Sequence, residues 1–191
     1  ASNEVAQIFA ADRAGVARPL SAFRAYDLAA DWSTNQNPFG SCSLYKSEST
    51  LFGVYQPGYG WADQPAPQAA HVPVWDRAGA GTNVSAHGAE VDRTGSDVTK
   101  ARWTSPTNGI ATISGCLWMP VDKGRSMGWQ LRKNGAVLTA GEIFSGDPYD
   151  ATNPFRFELG SAGAAVLRQS VQTGDYLELA LISLSDNGNL G

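Results

Sequence analysis

Residues 100–149 read KARWTSPTNGIATISGCLWMPVDKGRSMGWQLRKNGAVLTAGEIFSGDPY, and this stretch decides the fold class. Apolar and polar residues alternate along it, and strand-like segments meet at Asn108-Gly109 and again at Asn134-Gly135. An Asn-Gly pair readily adopts the positive φ angles of a type I′ turn, so each pair predicts a hairpin. The stretch therefore predicts an antiparallel β protein.

The rest of the chain extends the same pattern. Turn residues separate short alternating segments, and Thr173-Gly174-Asp175 predicts a further hairpin. The predicted strands cover residues 43–46, 51–56, 72–75, 100–104, 110–118, 129–132, 137–144, 155–159, 164–171 and 176–184. Because no helical pattern separates these strands, we predict an all-β fold, namely an antiparallel two-sheet β-sandwich of the jelly-roll type.

The N-terminal segment has a different period. Apolar side chains recur at helical spacing at Val5, Ile8 and Phe9, and Asn3 is suited to cap a helix. We therefore predict a short amphipathic helix over residues 3–14.

The composition indicates an exported protein. Charged residues are only 17% of the 191 residues, glycines number 21, and the formal net charge is −4. An acidic chain lacks the basic surface that nucleic acids and anionic membranes attract, so neither is an expected partner. No apolar run approaches the roughly 20 residues of a membrane-spanning helix. The first residues, Ala1-Ser2-Asn3-Glu4, fit a start just after a removed signal peptide, which predicts an extracellular or periplasmic location.

The length suits one domain with an appendage. We place a helical appendage at residues 1–22 and the β-sandwich domain at residues 23–191. The chain has two cysteines: Cys116 falls in predicted strand 110–118, and Cys42 directly precedes predicted strand 43–46. A disulfide between adjacent strands and a pair of buried thiols are both compatible with this placement.

Residues 124–128 (GRSMG) match the G-x-S-x-G pattern of a hydrolase nucleophile. That motif requires a helix after the serine and a histidine later in the chain. Here a strand is predicted from Trp129, and both histidines, His71 and His87, precede Ser126. We therefore interpret the motif as a glycine-rich strand connection and predict no enzyme. A hydrolase or lyase would instead need two carboxylates that converge in a cleft.

The sequence also contains candidate metal ligands. His71 and His87 could join Asp76 or Glu90, but no zinc-ligand spacing is present. Calcium prefers clustered oxygen ligands, and one Gly-Pro loop supplies Asp147, Asp150 and Asn153. A second cluster comprises Asp186, Asn187 and Asn189. Ordinary turn chemistry accounts for the same residues and is favoured, so no cofactor is expected beyond a structural calcium.

Aromatic residues carry the functional prediction. Sugar rings stack on exposed Trp and Tyr side chains while polar neighbours bind the hydroxyl groups. Trp103 and Trp129 lie in alternating strands and are predicted to be core. The predicted ligand-binding residues follow a long Pro- and Gly-rich loop and its flanks: Tyr55, Gln56, Tyr59, Trp61, Asp63, Gln64 and Trp75. The alternative is that this loop folds over the domain and buries its own aromatics.

Trp118 is a further candidate for ligand binding. If strand 110–118 alternates without a bulge, Trp118 shares a face with Thr112, Ser114 and Cys116. The other face would carry Ala111, Ile113 and Leu117. This pattern places Trp118 on the outside.

Several motifs together invite a comparison. Residues 26–33 (YDLAADWS) are followed by Asn37-Pro38, and residues 102–106 read RWTSP. Further matching positions are Gly109, Ile113-Ser114-Gly115, Asp122, Gly124-Arg125-Ser126, Trp129, Leu131, Asn134-Gly135, Ser145-Gly146-Asp147-Pro148-Tyr149 and Asn153-Pro154-Phe155. The set resembles a family of exported bacterial β-sandwich proteins that often carry a C-terminal PEP-CTERM sorting tail. The resemblance implies a fold similar to that of carbohydrate-binding modules; the tail itself, and a strand after the SDNGN segment, have no counterpart here.

The predicted function is non-catalytic binding of a polysaccharide or surface glycan by an exported β-sandwich module. Tyr59 and Trp61 would provide the stacking surface. The alternative is a structural or assembly subunit of an extracellular or envelope-associated complex, as a homo-oligomer or in a larger assembly. In that case the N-terminal helix and the loop aromatics would be protein contacts.

Overall fold

The computed structural model describes residues 9–12, 24–28, 30–56, 74–76, 83–85, 88–90, 98–119, 124 and 126–184. In these ranges the regular structure is β, with two short 3-10 helices at Phe157–Leu159 and Ala164–Leu167. Every strand pair is antiparallel, which confirms the predicted all-β class. No helix within the described ranges is long and apolar enough to cross a membrane.

The described ranges contain fifteen strands. They are β1 Phe9–Asp12, β2 Arg24–Tyr26, β3 Cys42–Tyr45, β4 Val54–Gln56, β5 Val74–Asp76, β6 Asn83–Ser85, β7 Gly88–Glu90, β8 Val98–Thr104, β9 Gly109–Thr112, β10 Cys116–Leu117, β11 Ser126–Lys133, β12 Ala136–Phe144, β13 Phe155–Arg156, β14 Arg168–Val171 and β15 Tyr176–Ser183.

The strands form four sheets. The largest has the order β12-β11-β15-β8-β3, and a four-stranded sheet has the order β14-β9-β1-β2. A second four-stranded sheet runs β4-β5-β6-β7 in sequence order, and β10 pairs with β13. The five-stranded sheet contains the longest strands and is the main sheet of the described chain.

One hydrophobic cluster joins residues of two sheets. Trp103 and Trp129 of the five-stranded sheet are fully buried, which confirms both as core residues. Tyr26, Ala111 and Val171, from the sheet that contains β9, belong to the same cluster. Burying large aromatic and aliphatic side chains together is the main favourable term in a fold of this kind.

The turn at Asn134-Gly135 is a hairpin, as predicted. Asn134 has φ 49° and Gly135 has φ 82°, and the turn connects β11 to β12, which pair along their length. The Asn134 side chain accepts a hydrogen bond from Tyr176 N at 2.9 Å, and this bond attaches the turn to β15.

The predicted hairpin at Asn108-Gly109 is wrong. β8 belongs to the five-stranded sheet and β9 to the β14-β9-β1-β2 sheet, so the chain crosses between sheets here. The hairpin predicted at Thr173-Gly174-Asp175 is wrong for the same reason, because this turn crosses in the opposite direction, from β14 to β15 of the five-stranded sheet. The two crossings lie side by side because Ser105 N donates to Asp175 O at 2.7 Å and Thr173 N donates to Asn108 Oδ1 at 2.8 Å.

The predicted strand 110–118 is interrupted. β9 ends at Thr112, and the chain resumes as β10 in a different sheet. Gly115 lies against the ring of Phe157, with no room for a side chain, and Ile113 N donates to Leu167 O at 2.8 Å outside any ladder. The predicted faces are correct for residues 111–114, because Ala111 and Ile113 are buried while Thr112 and Ser114 are exposed, but Cys116, Leu117 and Trp118 are all half-buried.

Strand 155–159 is also shorter than predicted. It gives way to a 3-10 helix at Phe157, and the predicted inward residue Leu159 is 57% exposed. Side chains of a 3-10 helix return to the same side every three residues instead of every two, so Leu159 does not lie on the buried side with Phe157.

The N-terminal helix over residues 3–14 is corrected where the structure describes it. Phe9–Asp12 form strand β1, which pairs with β2 on one side and β9 on the other. Ladder hydrogen bonds on both sides outweigh the weak helical periodicity of a short segment. Residues 3–8 and 13–14 lie outside the described residues, and the domain division at residue 22 stays a prediction.

Candidate functional site

The predicted loop site falls largely outside the described residues. Tyr59, Trp61, Asp63 and Gln64 all lie there. Tyr55 and Gln56 belong to β4 and Trp75 to β5. The ladder makes Tyr55 and Trp75 direct Cα partners, so these two predicted residues are brought together at the level of the backbone.

Trp118 directly follows β10. Its side chain is half-buried, and the preceding Leu117 packs against the hydrophobic core. The interruption at Gly115 separates Trp118 from the face of Thr112 and Ser114 with which the sequence associated it. Its use in ligand binding stays a prediction.

The predicted calcium ligands make turn hydrogen bonds. Asp147 Oδ2 accepts from Phe144 N and Asp147 Oδ1 from Tyr149 N, each at 2.8 Å. These bonds fold residues 144–149 into the turn that ends β12. This is the turn chemistry that the sequence analysis favoured.

Asp150 and Asn153 bond in a similar way. Asp150 Oδ1 accepts from Thr152 Oγ1 at 2.7 Å, from Thr152 N at 2.7 Å and from Asn153 N at 2.8 Å. These hydrogen bonds, the one from the Thr152 hydroxyl first, lower the pKa of Asp150. Within the described ranges no group of three His, Cys, Asp or Glu side chains is arranged to hold a metal ion. The calcium site stays a prediction.

Ser126 of the G-x-S-x-G pattern is the first residue of β11. A strand therefore follows the serine, as the sequence analysis expected. His71 and His87 lie outside the described residues.

No disulfide joins Cys42 and Cys116. Cys42 lies in β3 opposite Trp103, and Cys116 lies in β10 opposite Arg156. Burial of Cys42, with a smaller contribution from the negative charge of Asp31, raises the pKa of its thiol to about 12. The sequence left open a disulfide or a pair of thiols, and in the structure Cys42 and Cys116 are not bridged.

The five-stranded sheet has an apolar face toward the core and a polar face opposite. Because side chains alternate along a strand and direct partners share a face, pairing places residues of β3, β8, β15 and β11 together on the polar face. We refer to the following residues as the charged cluster: Tyr45, Glu48, Lys100, Arg102, Gln130, Arg132, Tyr176 and Glu178.

Glu178 is the buried anion of the charged cluster. Its side chain is 1% exposed. Glu178 Oε1 accepts from Arg102 Nε at 2.8 Å and from Arg102 Nη2 at 2.6 Å, and it lies 3.1 Å from Lys100 Nζ. A carboxylate that leaves water needs such charge-assisted partners, because an unpaired buried charge is costly.

Arg102 lies between two tyrosines. Its guanidinium carbon is 4.4 Å from the ring centroid of Tyr45 and 3.9 Å from that of Tyr176. Its Nη1 also donates to the Tyr45 hydroxyl at 3.0 Å. Stacking on both rings and pairing with Glu178 hold the guanidinium in one orientation.

Glu48 covers the other two cations. Lys100 Nζ, which is 1% exposed, donates to the Glu48 carboxylate at 3.0 Å. Arg132 Nη1 donates to both carboxylate oxygens of Glu48, at 2.9 and 3.1 Å, while Arg132 Nε donates to Gln130 Oε1 at 2.8 Å. Partial burial opposes ionisation of Glu48, but the hydrogen bonds and charges of Arg132 and Lys100 prevail and lower its pKa.

The charged cluster has a surplus of positive charge. Lys100, Arg102 and Arg132 face two carboxylates, so the net charge is +1. Fixed guanidinium groups and tyrosine rings on a strand surface can bind a planar anion, donate to sugar hydroxyl groups and contact a sugar face.

The residues of the charged cluster were not predicted from the sequence. The usable signal was alternation, since Lys100-x-Arg102, Gln130-x-Arg132 and Tyr176-x-Glu178 each place two polar side chains on one strand face. The sequence does not show that these three strands are neighbours, because Arg102 and Glu178 are 76 residues apart.

No family model matches the chain, and neither a curated protein nor a solved structure shows significant similarity to it. Membership of the exported β-sandwich family therefore stays a prediction.

The motif residues behind that resemblance include core residues, such as Trp103 and Trp129, and Asn37, which holds the backbone. Asn37 Nδ2 donates to Leu44 O at 2.7 Å and to Phe52 O at 2.9 Å, and Asn37 Oδ1 accepts from Leu44 N at 2.8 Å. Arg102 differs, because it is a motif residue that belongs to the charged cluster.

Proposed function

We propose that this chain is a non-catalytic binding module for a polysaccharide, exported from the cell, and that the polysaccharide lies on the polar face of the five-stranded sheet. The observation that carries the proposal is the charged cluster itself, in which Arg102 is stacked between Tyr45 and Tyr176 on that face. We further propose that the domain is a jelly-roll sandwich, since residues of two sheets share one core.

The energetics of buried charge support a role in binding. Replacing a buried ion pair by apolar residues of similar size is often neutral or stabilising, so an ion pair of this kind is weak evidence of a role in stability. Here Lys100 and Glu178 are each 1% exposed, although the same strands bury apolar side chains on their other face. A sheet face that keeps such charges is suited to recognise a polar ligand.

Affinity gel electrophoresis across a panel of soluble polysaccharides tests the proposal. We expect at least one polysaccharide to retard the protein, and Arg132→Met to abolish the retardation. Arg168→Met is the matched control, because Arg168 is exposed on β14, away from the charged cluster. Thermal denaturation of both variants checks that they remain folded.

Trp61→Ala separates the two candidate surfaces. Retardation that Trp61→Ala removes and Arg132→Met preserves would place the ligand on the predicted loop site instead. If no polysaccharide in the panel retards the protein, the binding function is contradicted.

The second candidate is an assembly subunit, and the edge strand β12 favours it. Val137 and Phe144 of β12 are 53% and 47% exposed, and among the described strands β12 pairs only with β11. Exposed apolar residues on an edge strand are suited to contact another protein chain. A molecular mass that rises with protein concentration, and that Phe144→Ser returns to the monomer value, would support assembly.

A further inference from the structure

Glu48 is the outermost charge of the charged cluster. Its side chain is 62% exposed, whereas those of Lys100 and Arg132 are 1% and 12% exposed. The Glu48 carboxylate therefore lies between solvent and two cations that water hardly reaches. A ligand that approaches this part of the polar face meets Glu48 first.

The turn that contains Glu48 is stabilised by hydrogen bonds that do not involve the Glu48 carboxylate. Lys46 N donates to Thr50 O at 2.9 Å, and Thr50 N donates to Ser47 Oγ at 3.0 Å. Lys100 Nζ also donates to the backbone carbonyl of Glu48 at 2.8 Å. Rotation of the Glu48 side chain into solvent would leave all three of these bonds in place.

When the Glu48 carboxylate rotates away, the cations of the charged cluster need another anion in its place. Without it, Lys100, Arg102 and Arg132 face Glu178 alone among the carboxylates of the charged cluster, and the net charge is +2. Glu178 Oε1 is already shared by Arg102 and Lys100. Arg132 would keep its bond to Gln130, a neutral acceptor. Buried cations are stable only when paired, so an outside anion would be drawn to this position.

We propose that the ligand is an acidic polysaccharide and that one of its uronate carboxylates replaces the Glu48 carboxylate on Arg132 and Lys100. The inference rests on the proposed function and names its substrate class. A uronate carries one planar carboxylate, the same group that Glu48 places there, while its ring and hydroxyl groups match the nearby Tyr45 and Gln130. Glu48 acts as an internal competitor that keeps the cations paired until the ligand arrives.

The test uses the whole chain and matched pairs of polymers. Alginate, polygalacturonate and hyaluronan are each compared with a carboxyl-reduced form, in which the same backbone is neutral. We expect one of the acidic polymers to bind and its reduced form to bind at least tenfold more weakly. Arg132→Met should remove this difference.

Glu48→Gln is the decisive variant. If the internal carboxylate occupies the site most of the time, its removal should tighten binding of the acidic polymer by about tenfold. Glu158→Gln is the matched control, because Glu158 is exposed outside the charged cluster, and it should leave the affinity unchanged. An unchanged affinity of Glu48→Gln for the acidic polymer would overturn the proposal that a uronate replaces the Glu48 carboxylate.

The outcomes separate this inference from the proposed function. Equal binding of acidic and carboxyl-reduced polymers overturns the uronate inference and leaves polysaccharide binding standing. Absence of binding to every polymer, acidic and neutral, overturns both. Binding of poly-glutamate in place of the polysaccharides also overturns both, and it would identify an acidic protein segment as the partner.

Discussion

The apolar and polar faces of the five-stranded sheet are built from the same strands, yet they are stabilised in different ways. Trp103 and Trp129 on one face are fully buried, and Lys100 and Glu178 on the other are buried almost as completely. Burial alone therefore does not distinguish the two faces. Apolar side chains are stabilised by leaving water, whereas charged side chains leave water only when each has a partner.

The largest expected effect is on the apolar face. Trp129→Ala should lower the free energy of unfolding by about 3–5 kcal/mol, because it opens a cavity in a tightly packed core. Urea denaturation measures this change. Val137→Ala is the control, since Val137 is 53% exposed, and a surface change of this kind costs about 0.5 kcal/mol or less. Equal effects of the two variants would contradict the position of Trp129 in the core.

The polar face should be nearly as sensitive to the loss of one partner. Glu178→Gln should lower the free energy of unfolding by about 3 kcal/mol, because Arg102 and Lys100 lose their shared carboxylate. This is the lower end of the usual cost, since Lys100 keeps Glu48 and Arg102 keeps its tyrosines. Urea denaturation at neutral pH checks the value, with exposed Glu158→Gln as the control.

A triple variant sharpens the comparison between the faces. Lys100→Met, Arg102→Met and Glu178→Leu together replace three charged side chains of the charged cluster by apolar ones and leave Glu48 and Arg132 unchanged. We expect most of the stability lost in Glu178→Gln to return, while polysaccharide binding is lost. A triple variant that still binds would show that Lys100, Arg102 and Glu178 serve the fold and not the ligand.

A smaller effect should follow from pH at Glu48. Because its pKa is lowered in the folded state, Glu48 stabilises the fold above its unfolded pKa of about 4.5, and this contribution is lost as the pH falls through the folded pKa. Glu48 is largely exposed, so the contribution should be less than about 1 kcal/mol. Urea denaturation at a series of pH values should show a smaller acid loss in Glu48→Gln than in the parent chain.

The smallest expected change concerns Cys42 on the apolar face. Burial and a pKa raised to about 12 keep its thiol protonated and shielded at pH 8. A thiol reagent should therefore label Cys42 only after denaturant is added. Mass spectrometry of labelled peptides, with half-buried Cys116 as the internal comparison, measures this. Rapid labelling of Cys42 in the folded chain would contradict its burial.

Local pattern predicted part of this architecture correctly. The alternation that predicted strands from Lys100 onward is confirmed in β8, β11, β12 and β15. The assignment of Trp103 and Trp129 to the core is confirmed as well. These features depend on which side chains alternate along a single strand, and that information is complete within a few neighbouring residues.

The charged cluster was not predicted, because its members come together only through strand order. The pairing of β8 with β15 places Arg102 opposite Glu178, and the pairing of β11 with β15 adds Arg132. Glu48 reaches Lys100 and Arg132 from a separate turn. No local preference encodes contacts over such separations, which depend on how all the strands share one core.

The two Asn-Gly pairs show which features the sequence determines and which ones depend on the tertiary structure. By itself the sequence determined that the chain turns at both places, since Asn and Gly favour tight turns wherever they occur. Only the tertiary structure decided that Asn134-Gly135 closes a hairpin and that Asn108-Gly109 leads from one sheet to the other. The physical reason is that a turn sets local backbone angles, whereas the partner of the following strand is chosen by distant hydrogen bonds and by burial in the common core.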